Sequence, residues 1–320
     1  MGGLESGPSK PKVVFFGSGP VAAKSLELLA RNFEIEAVVT KPKPAHHHGR
    51  FPVIDIAGSL KLPLKTVTNK ADLDELIATK PFTSEVGVLI DFGIIVSQKV
   101  IDYFEKGIVN SHFSLLPEWR GADPITFSIL SGQKRTGVSL MLLVEKMDEG
   151  PIIACSVQGI SDEETTPSLT EKLIYLSNEL LEKEIPRYLS GEVESANQDQ
   201  MAELVPDYPS EPTYSRKLTK EDGRIDWNNP AKQIEREIRA FIEWPKSYTT
   251  LGGIDVILTK AFVVPSVTAN SKPGDITIVD EISGLGVVTG NGTLWISRIK
   301  PAGKQEMLAA EFVRGYGKNL

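Results

Sequence analysis

The sequence predicts an α/β protein in which a parallel-sheet domain is followed by a small β-barrel. The chain opens in strand–helix–strand order, with an apolar strand at residues 12–17, a helix at 21–32 and a second strand at 35–40. This order predicts a parallel sheet with right-handed crossovers. A continuous apolar run at 86–90 is typical of a central parallel strand. After residue 247, short strands alternate with Gly-rich turns, which is the pattern of a small barrel.

Hydrophobic periodicity predicts the remaining elements. The longest amphipathic helix is predicted at 163–189, with Ser168 and Glu171 as a candidate capping box. The other predicted helices are 55–60, 71–79, 98–105, 122–130, 231–241 and 308–315. The other predicted strands are 64–67, 137–144, 152–160, 247–251, 254–264, 274–279, 286–289 and 293–299, with 137–144 and 152–160 forming a hairpin.

A polar stretch at residues 191–212 separates the two predicted domains. It contains three prolines, which favour an extended chain over a helix or a ladder. We therefore expect an extended linker between a first domain at 11–190 and a C-terminal domain at 213–320. Residues 1–10 are small and polar, which is the composition of a disordered leader.

The composition is that of a globular protein with a sizeable core. Of 320 residues, 41% are hydrophobic and 24% are charged, and the formal net charge is −7. The acidic balance argues against a protein that binds nucleic acid over its whole surface, but it is compatible with a local basic patch. No apolar run reaches the roughly 20 residues of a membrane span. The single cysteine, Cys155, excludes an intrachain disulfide and a Cys-rich zinc site, so we expect a reducing, cytoplasmic location.

Asn110 and His112 are the first candidate catalytic residues. They follow an apolar run that begins at Gly107, and because side chains alternate along a strand they point to one face while Ser111 points to the other. An amide can stabilise an oxyanion and an imidazole can transfer protons, a combination that suits acyl-type chemistry. The alternatives are a structural histidine and an asparagine that caps the next turn.

Asp148, at the mouth of the predicted hairpin, is the third candidate. A carboxylate at this position can orient and charge-stabilise an imidazole from a neighbouring strand. The alternative is turn chemistry, since Asp-x-Gly is ordinary in turns. Residues alone slightly favour this second interpretation.

Residues 17–22 match the dinucleotide-binding fingerprint G-x-G-x-x-A between a strand and a helix. The second strand ends at Thr40 without the acidic residue that holds a ribose hydroxyl, although Lys41 and Lys43 could accept a 2′-phosphate. An NADP-dependent oxidoreductase is therefore one functional alternative. A tight turn at an anion-friendly helix N-terminus, without any nucleotide, is the other.

The segment 41–51 is rich in proline and basic residues and contains three consecutive histidines, His46–His48. Consecutive residues do not easily converge on one ion, and neither cysteine nor clustered carboxylates are near, so no metal is expected. The side chains of Lys41, Lys43 and Arg50 suit phosphate contacts. A solvated loop without a ligand is equally compatible with this composition.

Asp91-Phe92-Gly93 follows the central apolar strand, at the kind of strand end where open α/β sheets bind ligands. A glycine beside apolar residues such as Ile94 suits the edge of a flat ligand. A buried bend is the alternative.

Taken together, these segments resemble the formyltetrahydrofolate-dependent formyltransferase family. The resemblance rests on Asn110-Ser111-His112, Ser114-Leu115-Leu116-Pro117, Arg120-Gly121, Thr136-Gly137-Val138 and Met147-Asp148-Glu149-Gly150. The C-terminal half is similar to the branch that acts on methionyl-tRNA, in the segments 217–227, 238–241, 244–245, 300–304 and 312–316. The sugar-amine branch is the closest competitor within the family.

The resemblance implies a Rossmann-like formyltransferase domain, an OB-like tRNA-binding domain and a monomer. It implies transfer of a formyl group from 10-formyltetrahydrofolate, a co-substrate, to the α-amino group of methionine on charged initiator tRNA. Asn110 would then donate to the oxyanion and His112 would move the proton towards the folate nitrogen. Asp148 would orient His112 and favour its protonated form.

The resemblance also implies binding residues. The expected folate contacts are Phe92, Gly93, Ile94, Ser114, Leu115, Leu116 and Pro117, and the expected tRNA contacts are Lys41, Lys43, Arg50, Lys300 and Lys304. The sequence departs from the family in two places. The loop 41–51 is shorter and less basic than usual, and Asp91-Phe92-Gly93 stands where Ala-Tyr-Gly is more common.

Overall fold

The computed structural model describes residues 10–43, 51–205, 207–264, 271–280 and 284–317. The chain forms two compact units. The first contains the chain up to Gly121 together with Arg135–Gly159 and Thr170–Tyr214. The second contains Ala122–Lys134, Ile160–Leu169 and the chain from Ser215 onward. The predicted leader, apart from Lys10, lies outside the described residues, as do His46–His48 and Arg50.

The regular elements follow the predicted order. The strands are β1 (Lys12–Phe16), β2 (Glu34–Thr40), β3 (Leu64–Thr66), β4 (Gly87–Leu89), β5 (Ile108–His112), β6 (Arg120–Gly121), β7 (Arg135–Leu142), β8 (Ile152–Gly159), β9 (Tyr214–Ser215), β10 (Ser247–Leu251), β11 (Ile254–Val264), β12 (Ile276–Asp280), β13 (Gly284–Val288), β14 (Thr293–Pro301) and β15 (Met307–Leu308). The helices are α1 (Pro20–Leu29), α2 (Pro52–Ser59), α3 (Lys70–Ala78), α4 (Gln98–Ile101), α5 (Pro124–Ser131), α6 (Thr166–Leu189), α7 (Met201–Leu204), α8 (Ala231–Ala240) and α9 (Ala309–Tyr316), with 3₁₀ turns at Gln198–Gln200 and Lys220–Gly223.

The first unit is built on a seven-stranded sheet in the order β3-β2-β1-β4-β5-β7-β8. The strands from β3 to β5 are parallel, which is the Rossmann-like arrangement that the sequence predicts. β7 and β8 run antiparallel to their neighbours, so the complete sheet is mixed rather than parallel. β7 and β8 pair antiparallel because the connection between them is short, whereas parallel strands need a crossover of about a dozen residues or more.

Two predicted features of the first unit differ in the structure. The helix expected at 98–105 ends at Ile101, and the chain then turns back to the sheet through Gly107, whose φ is +72°. The stretch expected as an extended linker, 191–212, contains a 3₁₀ turn followed by α7. Its Met201 and Tyr208 are buried against Leu115 and Leu116, because apolar side chains in a polar stretch gain free energy by leaving water.

The second unit contains a six-stranded antiparallel sheet in the order β10-β11-β14-β13-β12, with β15 beside β14. The sheet curls into a half-barrel, so the small barrel predicted from the sequence is only partly formed. One face packs on α8 and α9 through a core that includes Ile234, Ile238, Leu294, Ile296 and Phe312. None of the helices in the described ranges is long and apolar enough to cross a bilayer.

Candidate active site

Strand alternation on β5 brings two candidate residues to one face of the first unit's sheet. The Ser111 hydroxyl lies 2.6 Å from the Ser177 hydroxyl of α6, so Ser111 faces that helix and Asn110 and His112 face the other side. Asn110 is 8% exposed and His112 is 7% exposed. The Asn110 side-chain amide makes no hydrogen bond to the described part of the chain, although it is almost buried. The amide atoms keep some solvent access, so they remain available to a ligand.

Both nitrogens of His112 face oxygen atoms. Nε2 lies 3.0 Å from the Trp119 carbonyl oxygen, and Nδ1 lies 3.9 Å from Oδ1 of Asp148. In an imidazolium both ring nitrogens are donors, and both of these oxygen atoms can accept a hydrogen bond. The residues can therefore present a proton donor at the end of β5.

Asp148 stands on the turn between β7 and β8 with φ of +54°, a left-handed conformation that aspartate tolerates better than most residues. Its Oδ2 accepts a hydrogen bond of 2.7 Å from the Gly121 amide, which leaves Oδ1 directed towards His112. The side chain is nearly as buried as the imidazole. The structure thus brings together the three residues that the sequence singled out as catalytic candidates.

The loop after β5 is fixed by hydrogen bonds to β7. The Ser139 hydroxyl donates to the Ser114 carbonyl at 2.8 Å and accepts from the Leu116 amide at 3.0 Å. Leu115 and Leu116 are 1% and 0% exposed in the core of the first unit. Ser114 is 0% exposed and Pro117 is also buried, so all four of the predicted folate contacts in this loop are packed inside the first unit.

The strand end after β4 shows the same division between core and surface. Phe92 is 1% exposed, and its ring packs edge-on against Phe16 at a centroid distance of 5.7 Å. Gly93 has φ of +65°, and a Cβ added to it would lie 2.7 Å from Nζ of Lys41. Ile94 is partly buried against the same core as Phe92. Of the three predicted folate contacts here, Gly93 is the exposed residue, Ile94 is half-buried and Phe92 is buried.

The G-x-G-x-x-A turn at the start of α1 is already occupied. The amides of Ser18 and Gly19 donate to the Asp91 carbonyl at 3.0 and 3.3 Å. A Cβ added to Gly19 would lie 1.8 Å from Oδ2 of Asp91, so a carboxylate stands where a diphosphate would approach. Its negative charge opposes phosphate binding, and the dinucleotide interpretation loses its physical basis.

The single cysteine does not belong to the candidate catalytic residues. Burial raises the pKa of the Cys155 thiol, and burial also raises the pKa of the neighbouring Tyr208 hydroxyl. Because the thiol stays protonated, Cys155 is unsuited to nucleophilic catalysis.

The predicted tRNA contacts are distributed over both units. Lys41 and Lys43 follow β2 in the first unit, and Lys300 and Lys304 lie at and after the end of β14 in the second. Among the described residues, no group of three or more His, Cys, Asp or Glu side chains is arranged to hold a metal ion.

Three contributors to the site carry little signal in the sequence. The Trp119 carbonyl and the Gly121 amide contact His112 and Asp148 through backbone atoms, which any residue could supply. Gln198 donates hydrogen bonds to the carbonyl groups of Asp148 and Gly150 from a stretch whose composition indicates a linker. Only the neighbouring Arg120-Gly121 pair, part of the family resemblance, pointed to this loop.

Comparison with protein families identifies both halves of the chain. Residues 11–185 match the model described as formyl transferase, and residues 217–317 match the model described as formyl transferase, C-terminal domain. The methionyl-tRNA formyltransferase of Myxococcus xanthus is 34% identical over 313 residues, covering 96% of each chain. That of Listeria monocytogenes serotype 4a is 32% identical over 317 residues, covering 97% of each chain.

Solved structures share the fold at lower identity. The N-formyltransferase from Helicobacter canadensis, in complex with folinic acid and dTDP-3-aminofucose, has a TM-score of 0.67 and 18% identity over 93% of this chain and 100% of its own. HypX from Aquifex aeolicus in complex with tetrahydrofolic acid has a TM-score of 0.61 and 16% identity, over 97% of this chain and 48% of its own. With both family models and full-length relatives matched, the chain belongs to the formyl transferase family, among relatives named methionyl-tRNA formyltransferase.

Proposed function

We propose that this protein transfers the formyl group of 10-formyltetrahydrofolate to the α-amino group of methionine on charged initiator tRNA. The observation that carries the proposal is the trio at the end of β5, where the Asn110 amide, which makes no hydrogen bond to the described part of the chain, accompanies a histidine and a carboxylate in one site. Relatives that carry the name methionyl-tRNA formyltransferase over their full length support the choice of acceptor.

The reaction forms a bond between the amine nitrogen and the formyl carbon and breaks the bond from that carbon to the folate nitrogen. Asn110 donates to the oxyanion of the tetrahedral intermediate, a contribution of about 3 kcal/mol for a donor of this kind. His112 delivers a proton to the departing folate nitrogen, and Asp148 keeps the imidazole oriented and compensates its charge. The proton that the attacking amine loses restores the imidazolium, so the residues end the cycle as they began it.

We place the folate at the strand ends that carry Phe92, Gly93 and Ile94 and at the loop from Ser114 to Pro117. Phe92, Leu115 and Leu116 are almost completely buried, so the exposed Gly93 and the half-buried Ile94 are the better-placed direct contacts. Gly93 has φ of +65° and no side chain, which would let a flat ring approach its backbone once the flexible Lys41 ammonium moves aside.

The test compares two acceptors with the same formyl donor. We expect formyl transfer to charged initiator tRNA and no comparable transfer to a nucleotide-linked amino sugar. Transfer to the amino sugar alone would assign the protein to the sugar-amine branch, and this outcome would contradict the proposed acceptor. NADPH should leave the thermal unfolding midpoint unchanged, because Asp91 occupies the phosphate position of the α1 turn.

We further propose that Lys41, Lys43, Arg50, Lys300 and Lys304 contact tRNA phosphates. Each neutralised phosphate releases counterions, so the affinity for tRNA should fall steeply with salt. Replacing Lys300 and Lys304 together by alanine should reduce the slope of log K against log salt by about 2. The control is the alanine variant of Lys12, an exposed lysine that begins β1 and pairs with Glu34. This variant should leave the slope unchanged. A salt-independent affinity would contradict the proposal.

We propose that the enzyme acts as a cytoplasmic monomer.

A further inference from the structure

Gln198 uses every hydrogen-bonding position of its side-chain amide on the framework of the active site. Its Nε2 donates to the Asp148 carbonyl at 2.7 Å and to the Gly150 carbonyl at 2.9 Å. Its Oε1 accepts from Nη2 and Nε of Arg120 at 2.7 and 3.2 Å. The residue is 6% exposed. A side-chain amide offers two donors and two acceptor positions, and all four are filled here.

The turn that carries Asp148 needs such support. Asp148 has a left-handed backbone conformation, and its neighbour Met147 is 69% exposed, so the turn gains little from packing. A residue in a sparsely populated conformation stays there only when its surroundings determine its position. The two hydrogen bonds from Gln198 hold the backbone on both sides of Glu149, immediately beside the catalytic carboxylate.

Arg120, the other partner of Gln198, lies between the two backbone groups that hold the catalytic pair. The Trp119 carbonyl accepts from His112, and the Gly121 amide donates to Asp148. The Arg120 amide donates to the Thr213 carbonyl at 2.9 Å, which ties this loop to the same connecting stretch. Gln198 therefore joins the loop that fixes the imidazole to the turn that fixes the carboxylate.

We infer that Gln198 is a positioning residue that sets the separation between the His112 imidazole and the Asp148 carboxylate, and through it the rate of proton transfer. This inference rests on the proposed formyl transfer. It assigns a role in the catalytic step to the stretch between the two family-model matches, which end at residue 185 and resume at 217.

The first test replaces Gln198 by glutamate. This change keeps an acceptor for Arg120 but removes both donors and places a carboxylate against the carbonyl groups of Asp148 and Gly150. A displacement of about 1 Å in a catalytic group costs up to 10²-fold in rate, so we expect kcat to fall about 10- to 100-fold while both KM values change less than about 2-fold. Gln198→Met, which removes all four hydrogen bonds at similar length, should show the same pattern. Asp199→Asn, an exposed neighbour in the same 3₁₀ turn, is the control and should retain full activity.

A double-mutant cycle with Asp148→Asn separates positioning from general destabilisation. If Gln198 acts through Asp148, adding Gln198→Glu to Asp148→Asn should lower kcat by less than about 2-fold, because the function it supports is already lost. A full multiplicative loss in the double variant would overturn the inference, as would unchanged kcat in both single variants.

The ring ¹⁵N resonances of His112 give a readout without turnover. They should shift in Gln198→Glu and Gln198→Met but not in Asp199→Asn, and an unperturbed ring in the first two would also overturn it. A wild-type protein without formyl transfer would contradict the proposed function instead.

Discussion

The candidate site draws its proposed catalytic groups from two regions that are held in different ways. Asn110 and His112 stand on β5, a fully buried strand between β4 and β7, and the sheet itself fixes their direction. Asp148 stands on a turn beside exposed residues and is fixed by hydrogen bonds from Gly121 and Gln198. The strand groups depend on packing and the turn group depends on specific polar contacts.

This difference teaches where each region is vulnerable. A strand in the middle of a sheet cannot shift one residue without exchanging its two faces, so Asn110 and His112 keep their positions as long as the unit is folded. A turn can move by an ångström while the unit remains folded, because few buried apolar contacts restrain it. Catalysis should therefore be lost by removal of groups on β5 but by displacement of groups on the turn.

The largest expected effect comes from His112→Ala. Loss of the general acid should lower kcat by about 10²- to 10⁴-fold, as proton transfer by a positioned side chain typically contributes this much. Because β5 is held by its neighbours, the circular dichroism spectrum and the unfolding midpoint should stay close to those of the wild type. If His112→Ala is unfolded, the comparison fails, because the stability of β5 would then depend on the His112 side chain.

Asn110→Ala comes next. The loss of one oxyanion donor should raise the barrier by about 3 kcal/mol, or roughly 10²-fold in kcat, with little change in KM. The matched substitution is Ser111→Ala on the opposite face of the same strand, which removes the contact with Ser177 and should change stability more than rate. Near-wild-type turnover in Asn110→Ala would refute its assignment as the oxyanion donor.

The smallest of the three effects is expected from Gly150→Ala, which displaces the turn without removing a catalytic group. The new Cβ would lie 1.7 Å from the Leu142 carbonyl oxygen, so the backbone must move. We expect kcat to fall about 10-fold and stability to fall by about 1–3 kcal/mol. Gly159→Ala at the far end of β8, where a Cβ meets nothing in the described part of the chain within 4 Å, should leave both unchanged. Equal effects in the two variants would show that the turn is not especially sensitive.

The same contrast explains what the sequence could predict. Period-2 alternation placed Asn110 and His112 on one face, and the structure agrees because β5 is an ordinary buried strand. Asp148 was a candidate from its place at the hairpin mouth, but family resemblance was needed to prefer a catalytic role, since Asp-x-Gly is also ordinary turn chemistry. The Trp119 carbonyl and the Gly121 amide were not predictable, because backbone groups leave no residue signature.

The fold, like the site, could be predicted only where a local sequence pattern determines the structure. The strand–helix order of the first unit follows from local patterns, whereas the antiparallel entry of β7 is a property of the complete sheet. Composition alone indicated an extended linker at 191–212, whereas Met201 and Tyr208 of this stretch are buried against Leu115 and Leu116. Phe92, expected at a ligand edge, is 1% exposed, because its ring packs against Phe16, which lies on the neighbouring strand but far away in the sequence.

The carboxylate of Asp91 at the start of α1 has a consequence for inhibitor design. Scaffolds that carry a diphosphate towards a glycine-rich first turn would meet charge repulsion and two amides already bonded to the Asp91 carbonyl. A neutral, planar heterocycle directed at the exposed backbone of Gly93 avoids both obstacles. The glycine-rich turn resembles a nucleotide site in sequence, but it therefore disfavours the diphosphate compounds that are usually aimed at such sites.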